Sequence, residues 1–281
     1  MLSTIETVEN LLNESLWSEA LYLGEYHIEK NDNYITSEEK TIPNEWLSRY
    51  EGNEELLRKR LHIEGIPFEH FIHIVNSKQN YDTHTQMRWF HFLRKTFTFE
   101  NSVNIEEEMS YLNTKDVPFI EFMIPFFEIS KAMILNNSKI NTSTIISSTI
   151  CSQHLIAMIA EAITSMALKT LIFELNKSRL NKELIGETPE ERYEFFIHSK
   201  FGSKQNILVF LSQYPVLARL ICEFTEHCTL NVIQTVERLI EDMDKIKDSI
   251  PSDFDFVTSF EALGDSHKGS QTVIKLVHHH F

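Results

Sequence analysis

Apolar residues recur at three- and four-residue steps along most of this 281-residue chain, and only seven glycines and seven prolines interrupt them. That period is the mark of amphipathic helices and predicts a mainly α protein. A first helix is expected over Thr4–Leu23, followed by a polar loop at Asn31–Thr41 and a helix led by Pro43. Phe68, Phe71, Trp89, Phe90, Phe92, Phe97 and Phe99 crowd the next stretch, which predicts helices packed through large rings around a polar break at Tyr81–Thr85. From Pro118 to Leu135 nearly every position is apolar, so this segment belongs deep in the core, with Pro125 expected to kink or restart the helix.

The longest element is predicted from near Thr142 to a stop at Gly186. Leu155, Met158, Ile159, Ala162, Ile163 and Met166 share one of its faces, and Glu161 and Lys169 share another. Thr188-Pro189-Glu190-Glu191 then supplies the cap hydroxyl, N1 proline and N3 glutamate of a capping box, which marks a helix start. A further start at Pro215 leads into Val232, Val236, Leu239, Met243 and Ile246 at helical steps. The opposite face carries Glu241 four before Lys245 and Arg238 four before Asp242, as a solvated surface would.

After Pro251 the period becomes two. Phe254, Phe256, Thr258 and Phe260 alternate with other residues, as do Thr272, Ile274 and Leu276, which predicts two strands joined by a loop at Gly264–Ser270. The expected architecture is a single compact unit over 1–281: a helical body over 1–252 and a β-hairpin over 253–281, without internal repeats or a linker.

Charge and composition narrow the function. With 41 acidic and 26 basic residues the formal charge is -15, which repels a nucleic-acid backbone in the absence of a basic face. The first residues lack a basic segment followed by an apolar core, so a cytoplasmic location is expected. The most apolar stretch, Leu155–Leu175, is interrupted by Glu161, Lys169 and Glu174, and reads as a buried helix with no membrane span. Cys151, Cys222 and Cys228 are odd in number and fit no zinc spacing, so reduced, buried thiols are expected. No metal site is expected either: consecutive His278, His279 and His280 point alternately to opposite faces of a strand, and Cys222 and Cys228 lie six apart on a helix.

One segment looks like a site. Gly264-Asp265-Ser266-His267-Lys268-Gly269 places a carboxylate and an imidazole two residues apart between glycines. In extended chain such residues share a face, so Asp265 could orient or charge the His267 imidazole for acid/base work or phosphate contact. A polar hairpin loop whose Asp, Ser and His bond their own backbone satisfies the same pattern.

Four stretches together resemble the dehydratase domain of type 2 lanthionine synthetases, the LanM class of lantibiotic biosynthesis enzymes. They are Thr170-Leu171-Ile172-Phe173-Glu174-Leu175-Asn176 with Arg179, Gly186-Glu187-Thr188-Pro189-Glu190-Glu191-Arg192, Tyr214-Pro215-Val216-Leu217-Ala218-Arg219, and Gly264-Asp265-Ser266-His267 with Gly269 and Val273. Their order and spacing fit the family from about Leu56 onward. The resemblance implies a kinase-like core decorated with helices, in which the hairpin is the start of the small lobe. It further implies use of ATP and Mg2+ to phosphorylate Ser and Thr of a precursor peptide, with elimination of the phosphate to leave dehydroamino acids. Asp265 and His267 match the family's Asp-x-His pair and are the implied catalytic residues; Gly264, Ser266, Lys268 and Gly269 are implied to approach the nucleotide. Ser270 and Gln271 stand where the family usually has glycine and arginine. The family's anchoring lysine, catalytic-loop acid, metal-binding residues and elimination arginine have no counterpart up to Phe281, so this chain by itself is expected to be inactive. The implied partners are the precursor peptide with its leader and, for a split synthetase, the remaining enzyme. Two other readings are a leader-binding module, with a groove in the aromatic region Phe68–Phe99, and a truncated remnant.

Overall fold

The computed structural model describes residues 4–13, 17, 20–21, 42, 44–48, 50–76, 85–100, 103–112, 117–246, 257–267 and 271–278. Its helices begin with α1 (Thr4–Leu12), α2 (Asn44–Ser48), α3 (Glu54–Ile63), α4 (Phe68–Asn76), α5 (Arg88–Thr98) and α6 (Glu106–Ser110). They continue with α7 (Ile120–Leu135), α8 (Ser138–Asn141), α9 (Ser148–Leu180), α10 (Pro189–Phe201), α11 (Lys204–Ser212) and α12 (Pro215–Ile246). The extended segments Val257–His267 (β1) and Gln271–His278 (β2) complete the described elements. The protein is mainly helical, as its apolar period predicts. The expected loop at Asn31–Thr41, Pro43, and the aromatic residues Phe254 and Phe256 lie outside the described residues.

Two compact units carry these elements: Glu14–Met87 forms one, and Met1–Asn13 with Arg88–Phe281 the other. This division follows packing, whereas the boundary read at residue 252 follows a change of period. In the smaller unit Leu57, Leu61 and Phe71 are buried, with Ile42, Trp46, Tyr50, Ile66, Phe68 and Ile72 packed against them. Trp46 meets Phe71 edge-on at 5.1 Å, and the Arg58 guanidinium lies 3.3 Å from the centre of the Phe68 ring. The Asn53 side chain starts α3 by accepting from the Glu55 and Leu56 amides at 3.0 and 3.2 Å. Gly65, at φ +71, ends it: the amides of Gly65 and Ile66 return to the carbonyls of His62 and Leu61, a Schellman closure.

The larger unit is organised around α7, where Phe122, Met123, Phe126, Phe127, Ile129 and Ile134 are all buried. A helix with so wide an apolar surface needs several neighbours to cover it. It packs with α9, α12, α5, α8 and α10. Pro125 does not restart the helix; α7 runs unbroken from Ile120 to Leu135. The ring removes one intrahelical bond, to the Glu121 carbonyl in the half-buried first turn, and the close-packed neighbours hold the helix through it.

Three predicted boundaries move. The helix starting at Thr4 ends at Leu12 and not at Leu23. The long helix begins at Ser148 and not near Thr142, because the Ser143 hydroxyl accepts from the Ile145 and Ile146 amides and turns the chain, leaving Ser147 as the cap. It ends at Leu180, before Gly186, in a second Schellman closure: the Lys182 amide returns to Arg179 and the Glu183 amide to Ser178. Here the left-handed residue is Lys182, at φ +59.

With 33 residues and a window of mean hydropathy 1.7, α9 is long and apolar enough to cross a membrane by length and composition. In the fold it packs against α7 and α12 and buries Leu155, Ile156, Ile159, Ile163 and Leu171, together with the polar Ser152, Glu174 and Ser178. Met158, Ala162 and Met166, expected on the same buried face, lie half-buried at its margin.

Lys182 holds a conformation that glycine adopts at little steric cost. Lys182→Gly is therefore expected to raise stability by up to about 1 kcal/mol, the left-handed strain relieved less the extra flexibility of the unfolded chain, read as a higher urea midpoint.

Candidate functional site

Asp265 and His267 stand two residues apart at the far end of β1, with Gly264 and Ser266 beside them. Lys268 and Gly269 lie outside the described residues, as do His279 and His280. The backbones of β1 and β2 run antiparallel, with Phe260 opposite Leu276 and Ala262 opposite Ile274. Between the pairs Leu263–Val273 and His267–Gln271 the register shifts, so three residues of β1 span one of β2. At its other end β1 is tied to the helices: the Val257 amide donates to the Ile145 carbonyl at 2.8 Å, just ahead of α9.

The other three stretches behind the resemblance meet at the C-terminal half of α9 and the starts of α10 and α12. A chain of rings leads there from α7. Phe122 packs on Phe201 at 5.3 Å and Phe210 at 5.5 Å, Phe201 packs on Phe210 at 5.3 Å, and Phe210 on Tyr214 at 5.1 Å. Tyr214 then donates its hydroxyl to Glu174 Oε1 at 2.6 Å, and Lys177 Nζ sits 3.0 Å from the same oxygen. Glu174 is only 3% exposed, so this carboxylate has left water and depends on these two donors.

The electrostatics follow. Burial pushes the Glu174 carboxyl up, but the Tyr214 and Lys177 hydrogen bonds, with the charges of Lys177 and Lys200, outweigh it and hold the group below its ordinary value. Burial and the hydrogen bond to Glu174 push the Tyr214 phenol up to about 12. The pair is thus a fixed carboxylate and a fixed donor at neutral pH, suited to clasping helices rather than moving protons. Close by, Glu183 accepts from Asn181 Nδ2 at 3.0 Å and Ser178 Oγ at 2.9 Å, and these bonds hold its carboxyl below the usual range.

Gly186-Glu187-Thr188-Pro189 is a capping structure. Thr188 Oγ1 accepts from the Glu191 amide at 3.1 Å, and Glu191 Oε2 accepts from the amides of Glu187 and Thr188 at 2.6 and 3.3 Å. The Arg192 guanidinium donates to the carbonyls of Gly186 and Glu187 at 3.1 and 3.0 Å. Gly186 is required because a Cβ there would lie 2.7 Å from Glu191 Cβ and 2.8 Å from the Arg192 nitrogen. Arg219 is likewise structural: its Nε meets Glu223 Oε1 at 2.8 Å, and its guanidinium lies 6.0 Å from the centre of the Trp89 ring, between α12 and α5.

Two further ion pairs brace α7. Lys131 Nζ lies 2.6 Å from Oε1 of the fully buried Glu108 and donates to the Asn104 carbonyl at 2.7 Å. Lys204 Nζ lies 2.7 Å from Glu128 Oε2 and donates to the Phe99 carbonyl at 3.0 Å. The expected pair Glu241–Lys245 is replaced: Glu241 binds Lys139 of α8 at 2.5 Å, and Lys245 binds Asp242 at 2.6 Å. Cys151, Cys222 and Cys228 are free and buried, and burial pushes the Cys151 and Cys228 thiols up to about 12. Phe71, Trp89, Phe90, Phe92 and Phe97 are buried as well, Phe71 within the smaller unit and the others within the larger. Among the described residues no group of three His, Cys, Asp or Glu side chains could hold a metal ion.

The Glu174–Tyr214 clasp has a faint sequence signal. Glu174 falls in step with Ala167, Leu171 and Ser178, the buried stripe of α9, and an acid in such a stripe requires a donor from a neighbouring helix. Which helix supplies the donor depends on the tertiary arrangement. Neither a protein-family model nor a curated protein matches the chain.

Tyr214→Phe removes one hydrogen bond to a buried carboxylate and is expected to cost about 1.5–3 kcal/mol at neutral pH. Because Glu174 is held below its ordinary 4.5, its contribution is complete above that value and is lost as pH falls through the lower folded value. Urea unfolding of both proteins across that range checks this: the gap between wild type and Tyr214→Phe should narrow on acidification.

Proposed function

We propose that this chain is part of a peptide dehydratase similar to the type 2 lanthionine synthetases, acting through phosphorylation of Ser and Thr hydroxyls and elimination of the phosphate. The observation that carries the reading is the order and spacing of four separate stretches, ending in Gly264-Asp265-Ser266-His267. Three of the four have structural work in the helical body, namely the Glu174–Tyr214 clasp, the Thr188 capping box and the buried Arg219. The fourth is Gly264-Asp265-Ser266-His267. It combines a carboxylate, an imidazole and glycine-freed backbone, the residue types used in phosphate contact and proton transfer.

In this reading the two strands begin a kinase-like small lobe, and Gly264, Ser266, Lys268 and Gly269 approach the phosphates of ATP bound with Mg2+. The metal supplies charge neutralisation on the transferring phosphoryl group. Asp265 orients the His267 imidazole, and His267 exchanges the proton of the acceptor hydroxyl. The substrate is a precursor peptide with its leader, and the protein works in the cytoplasm. Its α9 is a core helix rather than a membrane span, a view supported by the burial of Ser152, Glu174 and Ser178 along it.

The test uses the full reading frame that contains this chain, incubated with ATP, Mg2+ and the precursor peptide encoded beside it. Mass spectrometry should show loss of one water for each modified Ser or Thr. Asp265→Asn and His267→Ala should each slow that loss by about 10²-fold or more. A peptide that emerges neither phosphorylated nor dehydrated would sink the reading.

A further inference from the structure

The C-terminal half of α9 turns an unusual surface to solvent. Its buried stripe, Ala167, Leu171, Glu174 and Ser178, lies against the fold. On the opposite side, within a sector of helix surface set by steps of three and four, lie Ile172, Phe173 and Leu180, which are 43%, 60% and 77% exposed. Phe173 and Leu180 are seven residues apart, the spacing of two anchors on one face of a helix. From Lys169 to Leu180 the face runs for about 17 Å, the length of three helical turns.

Cations frame these apolar side chains. The segment 169–182 contains Lys169, Lys177, Arg179 and Lys182 against Glu174 alone, in a chain that has 26 basic and 41 acidic residues. Glu174 faces inward and takes up Lys177. Lys169 and Arg179 are exposed and have no carboxylate partner among the described residues. The local balance is therefore the reverse of the whole chain's.

We infer that this face of α9 is a docking surface for an acidic amphipathic peptide helix, with apolar side chains packed between Ile172, Phe173 and Leu180 and carboxylates set against Lys169 and Arg179. Anchors at seven-residue spacing match the helix-on-helix packing in which ridges of one helix enter grooves of another at a shallow angle. The flanking cations select the sign of the partner and speed its approach. A peptide fits this polarity better than an anionic bilayer does. Charges farther away than about 8 Å are screened at physiological salt, so a peptide confined to the face meets mainly its cations. A bilayer plane would instead extend over the surrounding surface of a chain with net charge -15. The surface stands whether or not the dehydration reading holds, because binding is read without ATP and without turnover.

The test is fluorescence anisotropy of the chain with a labelled peptide of four helical turns, leucine along one face and glutamate along the other. Saturable binding is expected, weakening as salt rises, with no binding of the same peptide bearing lysine for glutamate. Phe173→Asp, and separately Lys169→Glu combined with Arg179→Glu, should weaken binding by about tenfold or more. All these positions are solvent-exposed, and thermal melts should be unchanged. Equal binding of the acidic and basic peptides overturns the inference, as does acidic-peptide binding indifferent to the substitutions. It also falls if the acidic peptide fails to bind while the chain co-floats with phosphatidylserine vesicles in a manner lost on Phe173→Asp, since the face then belongs to a membrane surface.

Discussion

The burial of the apolar side of α7 is the constraint from which the larger unit follows. Phe122, Met123, Phe126, Phe127, Ile129 and Ile134 are taken out of water, while Glu121, Ile124, Glu128 and Lys131 stay half-buried and Leu135 is exposed. Large apolar side chains each contribute about 1.5–3 kcal/mol when fully removed from water, so enclosing this helix outweighs any local preference of its neighbours. The enclosure is directional because rings make it. Phe122 contacts Phe201 and Phe210, and Phe97 meets Phe126 edge-on at 6.0 Å, which fixes α10, α11 and α5 about one axis. The same enclosure explains why Pro125 is tolerated: a lost hydrogen bond at one point is a small perturbation when both flanking turns are clamped by packing.

Three buried or partly buried carboxylates among the described residues are paired at junctions between helices. Glu174 joins α9 to α12 through Tyr214, Glu108 joins α6 to α7 through Lys131, and Glu128 joins α7 to α11 through Lys204. Each of the two lysines also takes a backbone carbonyl, at Asn104 and at Phe99, so the chain entering and leaving that stretch is pinned at two points. Such pairs add little net stability beyond an apolar substitute, yet removal of one partner strands a buried charge. Their effect is to penalise any arrangement of the helices that separates the partners.

How far the sequence reveals this fold depends on the range of the interaction. The capping box at Thr188 and the largely apolar α7 are local patterns, and both are visible in the sequence because cap chemistry and periodicity need only neighbouring residues. The end of α9 was misplaced at Gly186 because glycine is the usual left-handed residue after a helix, while here Lys182 takes that conformation and Glu183 secures it through Ser178 and Asn181. Gly186 serves a different need, the close approach of the first turn of α10. Tyr214 is seen as a donor to Glu174 only once two segments 40 residues apart are brought together, and no period within either one announces the other. For the candidate site the sequence supplies the residue types at Asp265 and His267.

These ranges also separate what the helical body does from where chemistry would occur. Glu174 and Tyr214 are perturbed by burial and by each other, and each is held in the protonation state that preserves the clasp. A perturbed group marks an active site only where the perturbation leaves a proton free to move near the working pH. Here the low carboxyl and the high phenol lie far apart on either side of neutrality, so the corner formed by α9, α10 and α12 is mechanical. Its rigidity has a consequence for the outward face of α9. The inward face is locked at Glu174 and Ser178, so Phe173 and Leu180 are presented at a fixed rotation and spacing, and a partner would meet a preorganised surface without first ordering it.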